Sequence, residues 1–176
     1  ESYSSIEVEN TSLVQLNFDE TLITTLSVDI NSDTYEDQVV AVKKANNPDI
    51  ILIIGLYDSK SSEYQRFTEL QTPIFQVKSF SLMVMDLAGN HTNTLVCTGF
   101  TSDNDSILQA YNPVIDKNRI SFSKIIDLQT DGTIFVQQAQ RNDNYSIYNM
   151  NADCFPIIMY STEETPGGTD YEQVQT

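Results

Sequence analysis

The sequence predicts an all-β protein built from short antiparallel strands, and three observations support this prediction. The chain contains many short apolar runs that are rich in β-branched and aromatic residues, which favour strands. These runs recur at spacings of about a dozen residues, as in sandwiches, barrels and propellers. Between them lie Asn, Asp, Ser, Gly and Pro, the residues that form turns. The predicted strands occupy residues 21–30, 37–44, 49–57, 64–70, 79–86, 94–100, 106–112, 120–128, 132–140, 145–151 and 155–160.

The segment 36–55 allows a second interpretation, in which a helix precedes a buried parallel strand. Such a helix would make the fold α/β, as in a periplasmic ligand-binding domain. However, Val39, Val42 and Lys43 do not form a continuous apolar stripe. Consecutive β-branched residues also lower helix propensity. We therefore favour two strands here, and the α/β domain is the alternative.

Composition excludes several classes of partner. The chain has 176 residues, is 40% hydrophobic and carries a net charge of −16, so it can form one domain with a core. An acidic chain repels phosphate backbones and anionic lipid, and we expect neither nucleic-acid binding nor membrane insertion. Cations and basic protein surfaces are the favoured partners. The chain begins with Glu1 and carries no visible signal peptide, so we expect a mature or internal piece of a longer protein.

Sequence motifs for catalysis are lacking. His91 is the single histidine, which removes multi-histidine zinc sites, and the sequence has no nucleophile elbow and no phosphate-binding loop. Cys97 and Cys154 each lie in an apolar run, which favours buried free thiols. We therefore expect a protein that is not an enzyme. Glycosidase-type carboxylate pairs stay open in so acidic a chain, so a carbohydrate hydrolase or lyase built on a propeller is an alternative.

Three stretches of the chain align with one another on an aspartate. In each, an apolar strand ends in Asp29, Asp86 or Asp127, and a polar loop and a second apolar strand follow. One or two further strands that carry tyrosine complete each unit. Units of this size fit four-stranded antiparallel blades of a β-propeller. The predicted units are residues 20–73, 74–118 and 119–162, with 163–176 as a turn or linker.

The first polar loop, DINSDTYED, has the spacing of a calcium site. Calcium prefers six to eight hard oxygen ligands in a compact loop. If alternate residues turn inward, positions 1, 3, 5 and 9 supply side-chain oxygens and position 7 supplies its backbone carbonyl. An ion also explains why carboxylates that repel one another are so close in sequence. The predicted ligands are Asp29, Asn31, Asp33, the carbonyl of Tyr35, and Asp37.

The other two loops match this pattern less well. Position 6 of the first loop usually requires Gly, and Thr34 there is expected to distort the loop or lower its affinity. We expect neither of the other loops to bind a metal tightly. Hydrogen bonds from backbone N–H groups to the leading Asp are expected to hold them instead. The corresponding residues are Asp86, Ala88, Asn90, Thr92 and Thr94 in the second loop, and Asp127, Asp131 and Phe135 in the third.

This arrangement of a strand, a D-x-[DN]-x-D-x-x-x-D loop and a second strand resembles the FG-GAP or VCBS repeat. That repeat builds integrin-α-type β-propellers and many bacterial surface proteins, and the resemblance covers roughly residues 20–160. The Phe-Gly and Gly-Ala-Pro motifs of the family are not present as such. Residues 128–160 also resemble spirochaete surface proteins, including pallilysin-related adhesins. The resemblance implies a secreted, lipoprotein or other cell-surface adhesion module, extracellular or periplasmic, with calcium in a structural role.

Three units are too few to close a propeller, which requires at least four blades. We therefore expect the remaining blades to come from flanking sequence. Alternatively, the three sheets form an open array whose edges a partner covers. A protein or extracellular-matrix ligand would contact the loops. Tyrosines either line a binding surface or pack between blades, and we favour packing for Tyr64, Tyr111, Tyr145 and Tyr148.

Overall fold

The computed structural model describes residues 12–87, 91–136, 157–160 and 171–174. These residues form strands, turns and loops but no helix, so no helix among them is long and apolar enough to cross a membrane. The all-β prediction is confirmed. The strands are β1 (Glu20–Val28), β2 (Asp37–Lys44), β3 (Asn47–Asp58), β4 (Glu63–Gln71), β5 (Ser81–Met85), β6 (Thr94–Phe100), β7 (Ser106–Asp116), β8 (Arg119–Thr130), β9 (Thr133–Val136), β10 (Ile157–Tyr160) and β11 (Tyr171–Val174).

The strands form three antiparallel sheets. The first sheet has the order β1-β2-β3-β4, the second β5-β6-β7-β8, and the third β11-β10-β9. The helix considered for residues 36–55 is wrong, because this segment forms β2 and β3, which pair antiparallel. The segment 163–176, predicted as a turn or linker, contains β11, because Tyr171–Val174 pairs with β10. The predicted strand at 145–151 lies outside the described residues.

Hydrophobic side chains cover both faces of each four-stranded sheet. One core cluster lies between the first and second sheets, where Val39 and Ala41 of β2 meet Leu95 and Cys97 of β6. Val40 belongs to a second cluster on the other face of the first sheet, and a third cluster covers the far side of the second sheet. The central strands are thus buried on both faces. This explains their continuous apolar runs, which usually indicate parallel strands.

The connection between β4 and β5 passes between the two sheets. The carbonyl of Ile74 accepts a hydrogen bond from the N–H of Ile50 at 2.9 Å, and the N–H of Phe75 donates to the carbonyl of Phe100 at 2.8 Å. The side chain of Ile74 is fully buried. A Cβ atom at Gly99 would lie 2.5 Å from Cγ2 of Ile74, so only glycine fits there.

The outer face of the first sheet carries a partly buried ion-pair cluster, which consists of Glu20, Lys44, Arg66 and Glu69. The Arg66 guanidinium donates to both carboxylate oxygens of Glu20, at 2.7 and 2.9 Å, and also contacts Glu69. Lys44 lies 2.8 Å from Glu69 and 3.5 Å from Glu20. The Glu20 side chain has no exposed surface. The hydrogen bonds from Arg66 lower the pKa of Glu20 to about 2.

The third aligned aspartate, Asp127, is predicted to end a strand, and this prediction is wrong. It lies within β8, which pairs with β7 along its whole length. Lys117 and Asn118, both with positive φ, form the two-residue turn that sets this register. Residues 119–130 therefore continue the second sheet, and the third sheet begins at Thr133.

Candidate metal centre

The acidic loop 29–36 joins β1 to β2 at one end of the first sheet. Asp29, Asp33 and Asp37 each direct a carboxylate oxygen to a common point, and these oxygens lie within 4.8 Å of one another. Asp29 is half-buried, Asp33 is exposed and Asp37 is buried. Three of the five predicted ligands therefore converge in space.

Asp37 is the most constrained of the three acids. Its Oδ2 accepts a hydrogen bond from the N–H of Ile30 at 2.8 Å, and its Oδ1 accepts one from the N–H of Tyr57 at 2.9 Å. These bonds tie the loop to β3. Burial raises the pKa of Asp37, and the negative charge of Asp33 raises it further. A cation beside these two acids would favour their ionised forms.

Asp29 closes the loop from its other end. Its carboxylate accepts the N–H of Asp33 at 3.2 Å and the N–H of Thr34 at 2.9 Å. These bonds fold the backbone so that Thr34 has φ of 75°. That conformation is strained for a β-branched residue, which is the reason that glycine suits this position.

The two remaining predicted ligands take part in the same network. The Asn31 amide nitrogen donates to Asp33 at 3.0 Å, and the Asn31 amide oxygen accepts the Asp33 N–H at 3.3 Å. The N–H of Tyr35 donates to Asp33 at 2.9 Å. The roles of the Asn31 oxygen and the Tyr35 carbonyl as ligands stay predictions.

The donor set fits a hard divalent cation. Two oxygens on opposite sides of a calcium ion are separated by about 4.6–5.2 Å, twice the usual bond length. The separations within the three-carboxylate group fall inside that limit. Each carboxylate oxygen has two acceptor sites, so the hydrogen bonds described above leave others for an ion. The arrangement has no redox-active or nitrogen ligand and is suited to structural binding.

The second loop, 86–93, joins β5 to β6 and has the same eight-residue length as the first. Asp86 accepts the N–H of His91 at 2.8 Å, as Asp29 accepts that of Thr34. His91 also has a positive φ, of 63°. The predicted hydrogen bond from a backbone N–H to the leading Asp is therefore confirmed in this loop. Ala88 and Asn90 lie outside the described residues.

Position 9 distinguishes the two loops. In the second loop it is Thr94, which is buried like Asp37 and donates from its hydroxyl to the side chain of Asn112. A hydroxyl replaces the anionic oxygen, so this loop lacks the closing carboxylate of the first. The third predicted loop is a two-residue turn at Asp131 and Gly132, too short to surround an ion in the predicted way.

The first and second loops contact one another. The Asn93 amide donates to the carbonyl of Asp29 at 3.0 Å, and both loops line a cleft of about 210 Å³ together with Pro113 and Ile115. Among the residues that the structure describes, Asp29 is the one carboxylate that lines this cleft. A carbohydrate hydrolase requires a pair, so this cleft does not favour that alternative.

Two other groups considered for chemistry have structural surroundings. Cys97 is a buried free thiol, and burial raises its pKa to about 12, which keeps it protonated and unreactive. Tyr111 packs in the core between the two sheets, as expected, and its hydroxyl donates to Gln109 at 2.7 Å. Cys154, Tyr145 and Tyr148 lie outside the described residues.

The contacts that anchor Asp37 to Ile30 and Tyr57 are the part of the site that sequence reasoning missed. The contact with Tyr57 depends on the register of β2 against β3, for which the sequence has no local signal. Comparisons of the chain with protein-family models, with curated proteins and with solved structures find no match. The resemblance to the FG-GAP or VCBS repeat therefore stays a prediction.

Proposed function

We propose that the protein is a non-enzymatic binding or adhesion module in which a calcium ion stabilises the first sheet. The single observation that supports this proposal best is the convergence of Asp29, Asp33 and Asp37 to within 4.8 Å. The proposed ligands are these three carboxylates with the Asn31 oxygen and the Tyr35 carbonyl. We place the module outside the cytoplasm, at the cell surface or in the extracellular or periplasmic space.

Electrostatic repulsion among the three carboxylates supports the proposed cation. Three carboxylates at this separation repel one another, and Asp37 is fully removed from solvent. The net charge of −16 adds to the repulsion throughout the chain. A divalent ion offsets two of the three negative charges and makes the ionised form of Asp37 favourable. The ion would hold β1, β2 and, through Tyr57, β3 together.

Sheet architecture supports a larger propeller. The two four-stranded sheets are simple antiparallel meanders that pack face to face. Each has an eight-residue loop between its first two strands, and each has a register shift between its last two strands, after Ile54 and after Ala110. We propose that they are FG-GAP/VCBS-like blades and that flanking sequence supplies the blades needed for closure.

A thermal melt with calcium or with a chelator tests the metal. Calcium at about a hundred times its Kd adds about 2.7 kcal/mol to stability, which raises Tm by about 5–10 °C for a chain of this size. Asp33→Ala should remove most of this rise. Asp103→Ala, which changes an exposed acid in the loop between β6 and β7, is the matched control and should keep it. An unchanged wild-type Tm with added calcium contradicts the proposed metal.

A further inference from the structure

Three tyrosine rings form a row on the outer face of the first sheet, beside the acidic loop. The ring centroids of Tyr35 and Tyr57 are 5.4 Å apart, and those of Tyr57 and Tyr64 are 5.1 Å apart. Tyr57 and Tyr64 pair across β3 and β4, and Tyr35 comes from the loop. The hydroxyl of Tyr64 donates to the carbonyl of Glu36 at 3.2 Å, which holds the row against the loop.

The tyrosine row (Tyr35, Tyr57 and Tyr64) is open to solvent at one end. Tyr35 is 47% exposed, whereas Tyr57 and Tyr64 are half-buried. Neighbouring rings are tilted by 42° and 56°, so their faces point in different directions and do not form one flat platform. A flat sugar ring stacks best on a flat platform, whereas a cation requires only one ring face within about 6 Å of the ring centroid.

A carboxylate lies beside the tyrosine row. Glu36 is exposed, and its backbone carbonyl accepts the hydrogen bond from the Tyr64 hydroxyl. Burial raises the pKa of Tyr64, and the charge of Glu36 raises it further. Glu36 lies outside the proposed calcium ligands, so a bound ion would not neutralise it directly.

We propose that the tyrosine row, with Glu36 beside it, binds an arginine-bearing basic segment of a partner protein. A guanidinium stacks on tyrosine faces through cation–π contact and pairs with carboxylates at the same time. Tyrosine is also frequent among the residues that dominate binding energy at interfaces. The excess negative charge attracts a basic partner and repels an acidic one. This inference rests on the proposed function as a binding module and specifies the chemistry of its partner.

Titration of the full chain with a short peptide of alternating arginine and glycine tests the proposal, at physiological salt and with calcium present. Calorimetry should detect binding of this peptide and none of matched peptides of glutamate and glycine or of serine and glycine. Tyr35→Ala should weaken binding about two- to fivefold, the effect of one exposed cation–π contact. Glu36→Gln should weaken it by a similar factor. The calcium-dependent Tm rise of the wild type, measured without peptide, reports on the metal separately.

Phe67→Ala is the matched control, because Phe67 is 43% exposed in β4 and lies outside the tyrosine row. Its binding should equal that of the wild type. Equal binding of the arginine and serine peptides, equal weakening by Phe67→Ala, or no peptide binding by a chain that still responds to calcium would overturn the inference. Binding of a neutral oligosaccharide that Tyr35→Ala abolishes, without peptide binding, would overturn it as well. Loss of the calcium response alone would count against the proposed metal and not against this surface.

Discussion

The two four-stranded sheets share one plan and differ in where they place charge. Both are meanders with an eight-residue first loop, closed by a leading Asp and a residue with positive φ. The first sheet buries two acids, Glu20 and Asp37. The second sheet has Thr94 at the loop position that corresponds to Asp37. The ion pair of the second sheet, Lys124 with Asp127, is almost half exposed. The shared plan therefore does not require buried charge, and the charges of the first sheet have additional roles.

The largest expected difference between the sheets concerns their ion pairs. Glu20→Ala should reduce the free energy of unfolding by about 3 kcal/mol, because it leaves Arg66 without its buried partner. We expect the lower end of the usual range because Arg66 keeps its contact with Glu69. Lys124→Ala should cost less than about 1 kcal/mol, since exposed pairs contribute little. Urea denaturation measures both, and similar losses in the two variants would contradict the comparison.

The lowered pKa of Glu20 predicts that the stability of the protein depends on pH. This pKa is about 2 in the folded protein, against an ordinary value of 4.5. Because the folded value is the lower one, the stabilisation is complete above about pH 4.5 and is lost as the pH falls towards about 2. Tm measured across this range should fall less steeply for Glu20→Gln than for the wild type. Parallel curves would show that the ion-pair cluster does not contribute in this way.

The calcium response should depend on the first loop alone. Removal of the proposed ligand in Asp33→Ala should remove most of a stabilisation of about 2.7 kcal/mol at a hundredfold excess of calcium over Kd. Asp86→Ala removes the corresponding hydrogen bond of the second loop and should lower Tm without changing the calcium-dependent rise. Melts of both variants with calcium and with a chelator measure the difference. A lost response in Asp86→Ala would mean that both loops take part.

Substitutions at the closing positions of the two loops should differ in their cost to stability even without metal. Asp37→Ala leaves the buried N–H groups of Ile30 and Tyr57 without their acceptor, at a cost of about 2 kcal/mol in chelator. The loss stays moderate because the variant also relieves the burial of a charge. Thr94→Ala removes one hydrogen bond to Asn112 and should cost about 1 kcal/mol. Denaturation in chelator compares the two directly.

The smallest expected effect is a gain in stability. Thr34 and His91 occupy left-handed backbone at matching places in the two loops. Thr34→Gly should stabilise the protein by about 1 kcal/mol, because glycine relieves the strain of a β-branched residue. His91→Gly should give a smaller gain, since histidine is not β-branched and tolerates this conformation better. A lower Tm for Thr34→Gly would mean that the threonine side chain supports the loop.

Local patterns in the sequence predicted the strands and the converging acids. The continuous apolar runs of β2 and β3 are buried on both faces, and the spacing of Asp29, Asp33 and Asp37 brings their oxygens together. In both cases the pattern that predicts the feature spans only a few residues of the sequence.

Features that depend on pairing between strands could not be predicted. Asp127 follows an apolar run as Asp29 does, yet the register of β7 against β8 places it inside a strand. The tyrosine row depends on the pairing of Tyr57 with Tyr64, and the register shift after Ile54 sets this alignment. A one-residue change in register moves every side chain to the other face, and sequence spacing alone does not determine it.

The path of the chain from β4 to β5 has a consequence for cooperativity. Because the backbone around Ile74 bonds to β3 on one side and to β6 on the other, this segment is shared by both sheets rather than acting as a hinge. Neither sheet can separate from the other without exposing the Ile74 side chain and breaking those backbone bonds. The two sheets should therefore melt in one transition, and a protease should find no susceptible junction between them in the native protein.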